Sequence, residues 1–163
     1  YKLTDISLLL LATLLGFFIY NFPPAKLYFG DSGTLFVGYV LGFISLIYDW
    51  LPESGSILVS PFSPVLFIFT VTILDFLIVT TDRISKNKSP TTGGTDHISH
   101  RILNLVHSEK KVLTEFLLLS FFFYSLLIAT ISFNGLLGFI SAVSYLSFFV
   151  FSFYKYKNLE PLS

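Results

Sequence analysis

Long uncharged runs decide what this chain can become. Residues 6–22, 34–48 and 136–154 contain no Asp, Glu, Lys or Arg, and residues 64–81 and 112–133 contain one each, Asp75 and Glu115. A bilayer core is crossed by about 20 apolar residues in a helix. Lipid offers the backbone no hydrogen-bond partner, so a spanning segment must satisfy its own N–H and C=O groups. Five such segments predict an all-α, polytopic membrane helix bundle with about five transmembrane helices. Hydrophobic residues make up 53% of the chain and charged ones 12%, with a mean hydropathy of +0.77. Those values exceed what a soluble domain carries.

The breaks between runs have local causes. Pro23-Pro24 ends the first span, because proline cannot continue a helix. Pro61 and Pro64 suit the first turns of the third, which can be read from as early as Ile57. The first span follows one Lys and lacks a small-residue cleavage site, so it does not read as a signal peptide. The formal net charge of zero leaves no broad basic surface for nucleic acid. With no cysteine, disulfides and thiolate metal sites are excluded.

Charge sets the orientation. Lys26, Arg83, Lys86, Lys88, Arg101, Lys110, Lys111, Lys155 and Lys157 fall on one side of the predicted spans, and only Lys2 on the other. The positive-inside rule makes the first side cytoplasmic. Asp49, Glu53 and Trp50 mark the opposite face, with Trp50 suited to the interface belt. The turn around Asp31 and the loop at 82–111 are thereby both expected to be cytoplasmic.

Two polar clusters stand out. The first is Asn21–Thr34, read N-F-P-P-A-K-L-Y-F-G-D-S-G-T. Gly30 and Gly33 allow a tight turn and close approach of a ligand. Asp31 or Ser32 is placed to cap the second span, whose free N–H groups favour phosphate. A carboxylate there also suits Mg²⁺. A plain helix cap and a ligand site remain equal readings of this turn. The second cluster is Gly93–Arg101. Thr95 or Asp96 is expected to cap a short helix running to about Val106. At about 3.6 residues per turn, His97, His100, Arg101 and Asn104 share one narrow polar face. Ile98, Ile102, Leu105 and Val106 share an apolar one. The expected element is an amphipathic helix lying on the membrane. Its polar face suits an anionic diphosphate, because Arg binds phosphate bidentately and His donates or shuttles a proton. A solvated helix face is the simpler alternative. Two His without a third ligand make zinc a weak reading.

Asp75 lies inside the third span, where an unpaired carboxylate costs roughly 2.5–3.5 kcal/mol. It is expected to face a polar cavity or a partner. Asp82, two helical turns on, should point the same way. Gly38 and Gly42 form a G-x-x-x-G explained by close helix packing. The Phe and Tyr clusters at 121–124 and 148–149 read as packing or lipid-facing residues.

The motif N-F-P-P-A-K-L-Y-F-G-D-S-G-T-L-F-V-G at 21–38 resembles the signature of the polyprenyl-phosphate N-acetylhexosamine-1-phosphate transferases. I-L-D at 73–75, Arg83, S-P at 89–90 and D-H-I-S-H-R-I-L at 96–103 resemble that family's later cytoplasmic loops. The resemblance implies transfer of a sugar-1-phosphate from a UDP-sugar to undecaprenyl phosphate, with release of UMP, for cell-envelope polysaccharide synthesis. It implies Mg²⁺ or Mn²⁺ as cofactor and a multi-pass protein of the bacterial inner membrane, with the active site on the cytoplasmic face. A homodimer is compatible with it.

By the same resemblance, Asp31 is a metal ligand and a catalytic residue, with His97 and His100 catalytic. Arg101, Lys26, Gly30, Gly33, Asp75, Arg83 and Asn104 are expected to bind substrate. The Arg after the final His and the P-P-A-K before the G-D turn resemble the GlcNAc-1-phosphate branch. The phospho-MurNAc-pentapeptide translocases are the related branch.

Ser99 stands where the family's H-x-H-H motif has a His, and the family's adjacent Asp-Asp pair does not occur here. Residues 1–163 are therefore expected to form a single membrane domain, the C-terminal part of a larger polytopic enzyme that is inactive on its own. An ion-coupled transporter fragment using Asp75 and a non-catalytic membrane scaffold are the alternatives.

Overall fold

A computed structural model describes residues 3–47, 69–132 and 136–160. Every regular element among the described residues is a helix, as expected. The elements are α1 (Leu3–Asn21), α2 (Gly30–Ile47), α3 (Thr70–Ser85), α4 (Ile98–Val106), α5 (Glu109–Ser132) and α6 (Leu136–Lys157). Four of them, α1, α2, α5 and α6, are long and apolar enough to cross a membrane. The predicted interface residues Asp49, Trp50 and Glu53, the prolines Pro61 and Pro64, and the start of the third predicted span lie outside the described residues. Two compact units divide the chain, residues 1–55 and 56–163.

In the first unit, α1 is apolar all round and buries none of its residues, and α2 buries only Ser45. Hydroxyls in α1 bond back to the helix's own carbonyls: Ser7 Oγ donates to Leu3 O at 3.0 Å and Thr13 Oγ1 to Leu9 O at 2.8 Å. That is how a polar side chain survives among lipid tails. The turn after α1 folds back on it. The Lys26 N–H donates to Tyr20 O, Asn21 Nδ2 donates to Leu27 O, and the Phe29 ring meets Phe17 edge-on at 4.3 Å. Gly33 makes that last contact possible, since a Cβ there would stand 2.4 Å from the Phe29 ring. Among the described residues no atom lies within 4 Å of a Cβ built at Gly38 or Gly42, so the close packing expected of them is not seen there.

The second unit has a true core. Leu74 and Ile78 of α3, Ile98 and Ile102 of α4, Leu119 and Phe123 of α5, and Tyr156 of α6 form one buried cluster. Each pair is spaced four residues apart, so each helix contributes one face. The Phe-rich run in α5 divides by that period: Phe123 is buried against Tyr145 and Phe148, while Phe121 is exposed.

Asn87 ends α3. It adopts φ 55°, its N–H donates to Ile84 O, and the Lys88 N–H donates to Arg83 O. This pairing is a Schellman-type stop with Asn in the left-handed position. The chain reverses there and returns through residues 88–97 to α4. His107 closes α4 at φ 47° with its N–H on Leu103 O.

Candidate functional site

α4 does not lie free on a membrane surface. It packs against α3, α5 and α6 through Ile98, Arg101 and Ile102. Two expectations change as a result. Leu105, assigned to the apolar face, is exposed. Arg101, assigned to the polar face with His97 and His100, is 1% exposed and points into the protein.

Every branch of Arg101 is engaged. Its Nε donates to Asp96 O at 2.7 Å, one terminal nitrogen to Lys157 O and Leu159 O, and the other to Asp82 Oδ2 at 2.8 Å. Arg101 is therefore an anchor between α3, α4 and the end of α6.

Arg83 is engaged within the protein in the same way. It grips the Asp96 carboxylate through two nitrogens, at 2.6 and 2.5 Å, and donates to the carbonyls of Pro90 and Thr92. The arrangement ties the 88–97 loop to the end of α3. Gly94 permits it, because a Cβ there would lie 2.7 Å from Asp96 Oδ1 and 2.9 Å from an Arg83 terminal nitrogen. Gly94 lies in the polar cluster at 93–101, and nothing in its sequence neighbours marks this requirement.

The carboxylates carry the mark of these contacts. The Arg83 hydrogen bond holds Asp96 at a pKa of about 2 against an ordinary 3.8. Burial works to raise the pKa of Asp82, but the bonds from Lys86 and Arg101 outweigh it, and the net shift is downward. Beside these pairs lies a polar cavity of about 320 Å³, lined by Lys86, Lys88, Gly93 and Gly94 among others.

Asp75 was expected to face a polar partner, and it does. Its Oδ1 accepts the Ile98 N–H at 2.7 Å, and its Oδ2 sits 2.8 Å from His97 Nδ1. The cap of α4 therefore comes from α3, not from Thr95 or Asp96 as predicted. His97 occupies the N-cap position in extended geometry and makes no side-chain cap bond of its own. Asp75 and Asp82 do point the same way: the first holds the start of α4, the second its Arg101. A residue seven positions along returns to nearly the same helix face.

His97 keeps a side-chain exposure of 47%. His100 is half-buried one turn on, with no hydrogen bond among the described residues. Asn104 reaches Glu160 O at a long 3.4 Å. These three are what remains of the predicted polar face.

Asp31 is exposed in the first turn of α2, one residue past Gly30 at φ +64°. It lies inside the helix start rather than at the expected cap. Thr34 Oγ1 donates back to Gly30 O and Asp31 O, and the Asp31 carboxylate has no partner among the described residues. Lys26 is exposed in the preceding turn. No group of three or more His, Cys, Asp or Glu suited to a metal occurs among the described residues. Mg²⁺ is held by one or two carboxylates together with phosphate oxygens and water. Asp31, exposed and unpaired at a helix start, fits as one such ligand.

Residues 1–49 match glycosyl transferase family 4. Over 119 residues, 73% of this chain and 32% of the relative, the sequence is 31% identical to a Bacillus subtilis protein described as a probable undecaprenyl-phosphate N-acetylglucosaminyl 1-phosphate transferase. It is 31% identical over 118 residues to the decaprenyl-phosphate N-acetylglucosaminephosphotransferase of Mycolicibacterium smegmatis, covering 68% of this chain and 29% of that protein. A shorter stretch, 46 residues at 46% identity, matches the phospho-N-acetylmuramoyl-pentapeptide-transferase of Nautilia profundicola, covering 28% of this chain and 13% of that protein. No solved structure matches the chain significantly. The chain spans about a third of the length of the first two relatives. The family resemblance carried by the motifs at 21–38 and 96–103 is borne out by these matches.

Proposed function

We propose that the protein containing this chain transfers a sugar-1-phosphate, GlcNAc-1-phosphate foremost, from a UDP-sugar to undecaprenyl phosphate. UMP is released, and the product feeds cell-envelope polysaccharide synthesis. The reaction takes place at the cytoplasmic face of the bacterial inner membrane. The observation that carries this reading is the relatedness to polyprenyl-phosphate GlcNAc-phosphate transferases over nearly three quarters of the chain. The half-exposed His97, the half-buried His100 and an Asp31 carboxylate with no partner among the described residues support it as side chains that can meet a ligand.

An oxygen of the lipid phosphate attacks the β-phosphorus of the UDP-sugar. The bond from that phosphorus to the bridging oxygen breaks, and UMP leaves with the bridging oxygen. Negative charge grows on the leaving phosphate, so catalysis is mainly positioning and charge neutralisation. Bound Mg²⁺ or Mn²⁺ would supply Lewis-acid neutralisation of the diphosphate, with Asp31 as one protein ligand. His97 and His100 would hydrogen-bond the diphosphate and move a proton at the phosphate oxygens. Lys26 and the N–H groups that open α2 after Gly30 would draw phosphate to the Asp31 turn. Gly33 serves by seating Phe29, and Arg83 and Arg101 serve as the frame that holds the histidine loop. A lipid tail that stays in the bilayer explains catalytic groups placed at helix ends.

A transporter using Asp75 as its ion site has less support, because both Asp75 oxygens are already engaged. The test uses the complete protein with UDP-GlcNAc and undecaprenyl phosphate. Asp31→Asn should abolish UMP release with expression intact, and full activity in that variant would remove Asp31 from the metal site. His100→Ala should lower turnover or UDP-sugar affinity substantially. An unchanged profile would make His100 an ordinary solvated side chain.

A further inference from the structure

The carboxylate of Asp75 does two things at once. Its Oδ1 takes the N–H that opens α4, at 2.7 Å, and its Oδ2 faces His97 Nδ1 at 2.8 Å. An ionised carboxylate only accepts hydrogen bonds, so the atom facing it must carry the proton. A neutral imidazole with its proton on Nδ1 has a lone pair on Nε2. That Nε2 has no partner among the described residues, and the ring is about half exposed. We infer that Asp75 is a positioning residue that fixes the tautomer of His97, making Nε2 the proton-accepting atom the protein offers to a substrate phosphate. This rests on the reading of His97 as part of the transfer site.

The double contact also fixes the ring in space. Helix start and imidazole are held by one side chain, itself mounted on α3 between the buried Leu74 and Ile78. The ring of His97 therefore cannot turn away without the carboxylate releasing it. The same geometry explains why a carboxylate is tolerated within this apolar segment: both oxygens are satisfied by groups that α4 and its cap residue bring to it.

The test is Asp75→Asn in the complete protein, read by the ¹⁵N spectrum of its histidines and by steady-state kinetics. The amide oxygen can still accept the Ile98 N–H, so the cap survives. The amide NH₂ then faces Nδ1 and donates to it, which drives the proton to Nε2 and removes the lone pair. His97, assigned by comparison with His97→Gln, should switch from the Nδ1–H to the Nε2–H signature. The kcat for UMP release should fall by ~100-fold or more, the scale of a lost acid–base group, with KM for the UDP-sugar little changed. An unshifted His97 spectrum in Asp75→Asn, or a shifted spectrum with full turnover, would overturn the inference. A wild-type protein that releases no UMP would overturn the transferase reading, while the spectral switch is judged separately.

Discussion

Arg101 donates in three directions from a buried position, and its removal should show what it does. Arg101→Ala would leave Asp82 without its buried partner and the carbonyls of Lys157 and Leu159 without donors. Breaking a buried pair from one side costs about 3–5 kcal/mol, so the variant should melt well below the wild type in detergent. A variant that keeps its melting temperature and loses only UDP-sugar affinity would return Arg101 to the binding site. At this scale the sequence was half legible. His97, His100 and Arg101 were singled out by type and spacing, and Asp75 by its cost inside an apolar run. Spacing alone could not say which way a guanidinium faces. Counting every charged residue as outward misses that Arg101 flanks Ile98 and Ile102 and is buried with them. The need for Gly94 was invisible, since it comes from a contact between Arg83 and Asp96, thirteen residues apart.

The loop from α3 to α4 is an element held mostly by charge, and its stability should follow pH. The folded pKa of Asp96 lies at about 2, below its ordinary 3.8. A group whose pKa is depressed by folding stabilises the fold above its unfolded value and loses that contribution as pH falls through the folded one. The Arg83–Asp96 contribution should therefore be complete above about pH 4–5 and fade toward about pH 2. Asp82, shifted the same way, adds to it. Melting temperature in detergent should drop across that window, and Asp96→Asn should flatten part of the slope while lowering stability at neutral pH. A variant that retains the full slope would exclude Asp96 as a source of it.

Element positions were clearer from sequence than element ends. Apolar runs gave the helices because lipid or core demands them. The cap of α4 was misplaced because the carboxylate that accepts its first N–H sits 23 residues away on another helix. Asn87 and His107 end helices in the left-handed conformation, which the sequence signals only weakly when the residue is not glycine.

On the scale of the molecule, the described residues give two units of different character. The second has a buried core and a charge-tied loop; the first exposes nearly all of α1 and α2. Asp31 belongs to the first and the histidines to the second. The polytopic helical class was readable from hydropathy, and the family from two motifs about 60 residues apart. The chemistry remains a proposal for the complete protein. It is tested most directly by following the β-phosphorus. UDP-GlcNAc labelled in its β-phosphate is incubated with the complete protein, undecaprenyl phosphate and Mg²⁺, and the label is traced to lipid or water. Sugar-1-phosphate transfer predicts the label in a lipid-linked diphosphate sugar, with unlabelled UMP released. Label recovered in free UDP, or left in unreacted donor, would contradict it.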